Sequence, residues 1–359
     1  MDVQGSPSTS SRQVAPPPTA PTPVRVRPLL LKPHRMNGLS DRLLLSHYEN
    51  NYGGALRRLN AIGTRLAGLD WVRAPVFEIN GLKREELIAA GSVILHEIYF
   101  DSLGGEGNDA PTGRLDPPAE LARAIERDFG SVAAWHTEFI SMAKAQAGGS
   151  GWVVLAWSDR LGRLVNQWAA DHSQALSGAT PVLAVDMYEH AYHLDFGAKA
   201  GAYVDQVMAN LNWRRIGAHY RVAIGEGTAE DAAPLPFGSP AQAEARISAE
   251  ALRAVLDGGP ERRPVILDVC LPVDLPRRTD MLPGATMHAP DALPRWAETL
   301  PRDRPIAVYC IAGFQVSGNT VTELRRRGYD ARALVGGIAA WHAIGAATVP
   351  LDTSTYESA

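Results

Sequence analysis

Between about Gly225 and Gln242 the sequence turns rich in Gly, Ala and Pro, and the apolar pattern differs on its two sides. Before it, long segments place apolar residues at helical spacing, followed by short strand-like runs. After it, short apolar runs alternate regularly with amphipathic helical stretches. A linker of that composition between two periodicities divides the 359-residue chain into two modules. The expected divisions are a Ser/Pro/Thr-rich tail over 1–30, a helical hairpin over 31–118, an α/β part over 119–217, a linker over 218–244 and an open parallel sheet over 245–359. The tail, with Pro16-Pro17-Pro18 at its centre, has too little apolar surface to offset ordering entropy and is expected to be disordered.

Net charge is −4, which gives no global basic field to favour nucleic acid or an anionic membrane, so neither is expected as a partner. No apolar run of about 18 residues occurs, so no membrane span is expected. The N-terminus shows no basic stretch leading into an apolar one. Two cysteines, Cys270 and Cys310, are too few for a disulfide scaffold and point to a reducing compartment. A cytoplasmic location is the expectation.

In the first module a helix opens near Ser40-Asp41, where either residue can cap, and runs on through Leu43, Leu44, His47, Leu56 and Leu59. Gly53-Gly54 within it calls for a kink or a close approach. A second helix is expected over Lys83 to Ser102. Each carries a histidine, His47 and His96, on or beside its apolar face. Further helices are expected over Ala119–Phe129 and Ser131–Ala147, then strands over Gly151–Ser158 and Arg163–Ala169. The run Pro181-Val182-Leu183-Ala184-Val185 reads as a third strand with Asp186 at its end, and a helix is expected from Tyr188 to about Phe196. An Asp and a His four residues apart suit either a helix cap with a surface partner or a shared cation.

The order of Ser46-His47-Tyr48, Leu95-His96 with Tyr99-Phe100, Gly149-Ser150-Gly151-Trp152, Asp186-Met187-Tyr188-Glu189-His190-Ala191-Tyr192 and Asn210-Leu211-Asn212-Trp213 resembles the iron/manganese superoxide dismutases over about Leu31–Ile216. The resemblance implies a helical hairpin packed on a small α/β domain, one iron or manganese ion per subunit, and His47, His96, Asp186 and His190 as its ligands. It implies superoxide as substrate, disproportionated to dioxygen and hydrogen peroxide. Three imidazoles and a carboxylate suit such a metal. His172 stands in the loop where the family sets a His or Gln on metal-bound solvent; a solvated loop histidine is the other reading. Trp135 and Trp152 are expected to wall the site. Glu189 resembles the residue that reaches the partner subunit's metal-ligand His, which implies a homodimer. Four positions depart from the family: Ala55 for the Tyr of the substrate funnel, Asn51 for a His, His193 for a Tyr and Tyr188 for a Trp. These changes leave the ligands and alter the entrance.

In the second module Ser248 can cap a helix, Val265–Cys270 and Ile306–Cys310 read as buried parallel strands, a helix follows to Arg327, and a strand around Ala331–Leu334 precedes Gly336-Gly337 and a helix bearing Trp341. Leu267-Asp268-Val269, Leu282-Pro283-Gly284-Ala285, Tyr309-Cys310 with Gly313, and Gly336-Gly337 with Trp341 resemble the rhodanese family over about 245–352. The resemblance implies Cys310 as a sulfur-carrying nucleophile, at a strand end where a helix N-terminus favours an anion; a buried inert thiol is the other reading. Here Gln315 replaces the loop Arg, Asp280 replaces a His, and Cys270, where an Arg is common, could face Cys310 as a resolving thiol. Three functional readings follow: superoxide dismutation, sulfur transfer through a Cys310 persulfide, and a non-catalytic redox or metal-stress sensor.

Overall fold

The computed structural model describes residues 22–105, 110–228, 244–259, 263–354 and 356. The Pro16–Pro18 tail and most of the expected linker lie outside them. Within them, order starts earlier than the composition suggested. Leu29, Leu30 and Leu31 are buried, Tyr48 Oη donates to the Arg27 carbonyl at 2.7 Å, and the Arg27 guanidinium pairs with Asp101 at 3.1 Å. Three consecutive leucines supply apolar burial here. The tail boundary at 30 is thus too late.

Helix α1 (Asp41–Ser46) is capped as expected, Ser40 Oγ accepting from the Leu43 N–H at 3.0 Å. It continues through a π-helical turn, His47–Tyr52, into α2 (Gly53–Ala67), and α3 (Val76–Asp101) returns antiparallel to close the hairpin. α3 begins before the expected Lys83 because its first two turns are solvent-facing and carry no core periodicity. Helices α4 (Ala119–Phe129) and α5 (Val132–Ala145) lead to a three-stranded antiparallel sheet of β1 (Trp152–Ser158), β2 (Arg163–Ala169) and β3 (Ala179–Asp186), in the order β2-β1-β3. The expected helix over 188–196 is instead a 3₁₀ turn, Glu189–Ala191, and a single short helix, α6 (His193–Phe196). Helices α7 (Ala200–Ala209) and α8 (Trp213–Ala223) finish the module, so α8 runs past the boundary expected at 218.

The second module is a five-stranded, all-parallel sheet. Its strands are β4 (Arg246–Ile247), β5 (Val265–Asp268), β7 (Ala285–Met287), β8 (Ile306–Tyr309) and β9 (Ala331–Leu334), in the order β4-β9-β8-β5-β7. Helices α9 (Ala249–Asp257), α10 (Leu293–Trp296), α11 (Gln315–Arg326) and α12 (Gly337–Ala343) cover it, and β6 (Asp280–Met281) pairs with β10 (Val349–Pro350) beside it. The expected α/β sheet is therefore present, with Ser248 capping α9. Among the described residues no helix is long and apolar enough to cross a membrane.

The modules meet along α12. Ala339 and Ala343 belong to the apolar core of the first module, and a Cβ on Gly53 would lie 2.6 Å from the Ala343 carbonyl oxygen. Gly53 thus serves close approach and not a kink. Arg57 Nη1 donates to that same carbonyl at 2.6 Å, and the His342 ring lies between Glu49, at 3.1 Å, and Asp280, at 3.0 Å.

Candidate metal centre

Four elements bring one donor each to a single buried point. His47 opens the π-turn, His96 lies on α3, Asp186 ends β3 and His190 sits in the 3₁₀ turn that follows. Their donor atoms lie within 4.8 Å of one another. His47 Nε2, His190 Nε2 and His96 Nε2 approach Asp186 Oδ2 at 3.0, 3.1 and 3.5 Å. The other carboxylate oxygen accepts from the Tyr188 N–H at 2.8 Å, which fixes the rotamer.

The tautomers test whether a cation fits. His96 Nδ1 lies 2.7 Å from the Ser92 carbonyl, so that nitrogen carries the ring proton. Its Nε2 is then a bare lone pair, buried, without a hydrogen-bond partner, and aimed at a carboxylate oxygen. Two acceptors facing each other in a dry interior repel unless positive charge lies between them. Burial, then the neighbouring His47, lowers the His96 pKa to about 3, and burial also lowers that of His47. Burial pushes Asp186 upward, but hydrogen bonds from His190 and His47 outweigh it and hold the carboxyl well below the usual range. Neutral imidazoles around an ionised carboxylate are the protonation states a divalent or trivalent first-row metal requires.

The walls are aromatic. Tyr99 and Phe100 lie 5.2 and 5.0 Å from the His47 ring, and Trp152 meets His96 edge-on at 5.1 Å. Trp152 is the strand-register partner of both Asp186 and Ala169, so it links the ligand strand to the loop that carries His172. Its indole N–H donates to His172 Nδ1 at 2.9 Å, and the His172 ring lies 6.0 Å from His96. His172 is thus half-buried and held in its loop by an indole N–H. A Cβ on Gly91 would fall 1.9 Å from the His172 carbonyl oxygen, so only glycine lets this loop lie on α3. Trp135, by contrast, packs on Phe139 and Trp213 and donates to Asn166; none of these partners is a ligand.

Tyr188 stacks between His172 at 4.7 Å and His190 at 5.4 Å, a role its difference from Trp did not reveal. Ser92 was also missed, although its place one helical turn before His96 was a usable signal. Asn51 and Ala55 are half-buried, while Glu189 and His193 are exposed. In the second module Cys310 lies at the C-terminal end of β8, its Sγ 3.4 Å from Ser317 Oγ, and Cys270 is fully buried in the same apolar cluster. Both thiols are free, and burial, then Asp268, raises the Cys270 pKa.

Comparison with known proteins agrees with this geometry. Residues 117–219 match the model of the iron/manganese superoxide dismutases, C-terminal domain. The chain is 59% identical over 199 residues to the superoxide dismutase [Fe] of Cupriavidus metallidurans, covering 55% of this chain and 97% of that protein. It is 32% identical over 200 residues to superoxide dismutase [Fe] of Aquifex aeolicus, 54% of this chain and 90% of that one. It is 31% identical over 196 residues to superoxide dismutase [Mn] 2 of Haloferax volcanii, 54% and 91% respectively. With nearly the whole of such a relative matched and a four-donor pocket in its interior, the chain belongs to the iron/manganese superoxide dismutase family.

Proposed function

We propose that the protein disproportionates superoxide to dioxygen and hydrogen peroxide at one iron or manganese ion held by His47, His96, Asp186 and His190. The observation that carries this is the bare His96 Nε2 facing Asp186 Oδ2 beside two further imidazoles. When bound, the metal supplies one-electron chemistry by alternating between its +3 and +2 states. The chain's residues do the rest. Burial keeps the imidazoles neutral, and the Tyr188 N–H donates to Asp186 Oδ1, which would leave Oδ2 for the cation. Trp152 occupies His172 Nδ1, so the neutral His172 ring carries its proton on Nε2, as a donor to solvent in the pocket requires. Ala55, Asn51 and His193 would widen the approach relative to the family and leave proton delivery to His172. Metal analysis with superoxide turnover of the wild type and His96→Ala is the test. Loaded wild-type protein no faster than the free aquo-ion would overturn the reading.

We further propose a homodimer, on exposed Glu189 and His193 with Leu194, 49% exposed, beside them. Sedimentation as a monomer at micromolar concentration would exclude it. Two free cysteines support a reducing, cytoplasmic setting.

A second reading belongs to the rhodanese-like module: sulfur transfer through a Cys310 persulfide. Cys310 leads into the loop before α11, and the Ile338 N–H donates to its carbonyl at 3.0 Å, pinning the loop against Gly336-Gly337. Thiosulfate:cyanide activity lost in Cys310→Ser would support it. Activity in neither assay, with full metal occupancy, would leave the sensor.

A further inference from the structure

Two carboxylates, one from each module, hold a single imidazole between them. His342, the penultimate residue of α12, presents Nε2 to Asp280 Oδ2 at 3.0 Å and Nδ1 to Glu49 Oε1 at 3.1 Å. Asp280 opens β6 in the second module, and Glu49 lies in the π-turn that His47 opens in the first. A neutral imidazole has one N–H and one lone pair, so it would turn a lone pair toward one of these oxygens. Only the imidazolium suits both. Nδ1 is buried and has no hydrogen-bond partner among the described residues, so its approach to Glu49 is an ion pair that holds while the ring is charged. Burial alone would lower the pKa of such a ring, but Glu49 and then Asp280 outweigh it and raise it above the ordinary 6.5.

The other cations around the ring are arginines, and a guanidinium keeps its proton in proteins. Arg57 of α2 donates from Nη1 to the carbonyls of Ala343 at 2.6 Å, His342 at 3.3 Å and Glu49 at 3.4 Å, so it ties the same turn to the end of α12 whatever the pH. Arg42 of α1, with Arg277 and Arg278 before β6, lines a cavity of about 580 Å³ that also reaches His342, Glu49 and Asp280. Arg277 is paired with Asp41, and Arg278 with Asp268. The His342 side chain is 24% exposed, and the cavity gives its proton a way out. His342 is thus the one member of this cluster placed to change charge near neutral pH.

We propose that His342 is a proton-dependent clamp between the modules: its imidazolium joins the metal-ligand turn, through Glu49, to Asp280 of the second module, and its neutralisation loosens that junction. The sign follows from linkage. A ring whose pKa is higher docked than free stabilises docking fully below 6.5, and that contribution is lost as pH rises through the docked value. Arg57 and the apolar packing of Ala339 and Ala343 remain, so the junction loosens without the modules parting.

The test uses the full-length, metal-loaded protein and two mass-spectrometric readouts between about pH 6.5 and 9. Exchange of the imidazole C2 hydrogen reports the titration midpoint of His342. Amide exchange, corrected for its intrinsic dependence on pH, reports protection of residues 47–52 and 337–343. The midpoint is expected above 6.5, and lower in Asp280→Asn, which keeps the ring but removes one carboxylate. Protection of both segments is expected to fall through that midpoint, by about tenfold for each pH unit by which docking raises it. In His342→Gln the two segments should lose this pH dependence and exchange as in the alkaline wild type. His34, near Asp274 at the same junction, has its pKa lowered by burial and then by Arg35, so it is already largely neutral there. A midpoint at or below 6.5 overturns the proposal, as does protection that ignores the midpoint. A decline with pH that survives in His342→Gln overturns it too, because a different group would then be the switch.

Discussion

Gly53 and Ala343 approach so closely that the two modules share a backbone contact: a Cβ at residue 53 would lie 2.6 Å from the Ala343 carbonyl oxygen and 2.7 Å from its Cα. Neither atom is the end of a flexible side chain, so the junction itself must open to admit a larger residue. Gly53→Val is expected to cost about 1–3 kcal/mol. Urea unfolding and limited proteolysis are the measurements, with cleavage between the modules enhanced in the variant. Wild-type resistance in both would mean that α12 is not packed on α2.

Trp152→Phe should separate metal binding from turnover. The ring that walls His96 is largely kept, but the N–H that fixes His172 Nδ1 is lost. Metal content is expected to stay near wild type while superoxide turnover falls about 10- to 100-fold, the usual size of an outer-sphere loss. Equal turnover at equal loading would remove His172 from the mechanism.

Gly91→Ala reaches the same histidine from the opposite side. The added methyl collides with a backbone oxygen, so the loop around His172 must leave α3. Hydrogen exchange across residues 171–174 is expected to quicken, with turnover reduced as in Trp152→Phe and the helix content unchanged. Exchange at wild-type rates would show that the loop can yield without moving His172.

Acid should destabilise the metal-free protein in a defined window. The ordinary histidine value is 6.5, and burial lowers His96 to about 3. Above 6.5 neither folded nor unfolded chain holds this proton. Between 6.5 and 3 only the unfolded chain takes it up, so stability falls as pH falls, by at most about 1.4 kcal/mol per pH unit for this group. His47 is lowered too and acts in the same direction, while Asp186 adds its loss only below its ordinary 3.8. Urea midpoints of the metal-free protein from pH 7.5 to 4.5 are expected to decline, and bound metal should oppose the decline by holding the imidazoles deprotonated. Midpoints flat over that range would mean that the buried histidines accept protons in place.

Much of this was legible in residues and spacing. Periodicity placed His47 and His96 on helices and Asp186 at a strand end, while it was the resemblance of the motifs that named these three with His190 as one ligand set; the structure brings the four together. Strands β2 and β9 and helix α4 fall where expected because of their periodicity. What the sequence hid was contact over distance. Gly91 as a seat for the His172 loop and Lys32 as a neighbour of Gln315 depend on elements far apart in the chain, and Tyr188 as a stacking partner on the folding of irregular turns, with no local periodicity to signal any of them. Trp135 misled for the converse reason: aromatic type alone does not say which core a ring joins.

The segment from Val24 to Lys32, buried from Leu29 onward, has a consequence for how the chain is made. Two of its partners, Glu250 and Gln315, follow Val26 and Lys32 by 224 and 283 residues. At roughly 5–20 residues per second, Lys32 waits on the order of 15–60 s for Gln315 to be synthesised. The helices of the dismutase module, the last of which ends at Ala223, are therefore all synthesised before Gln315 exists to meet Lys32. The contact between the two segments is thus a docking event that follows synthesis of everything between them.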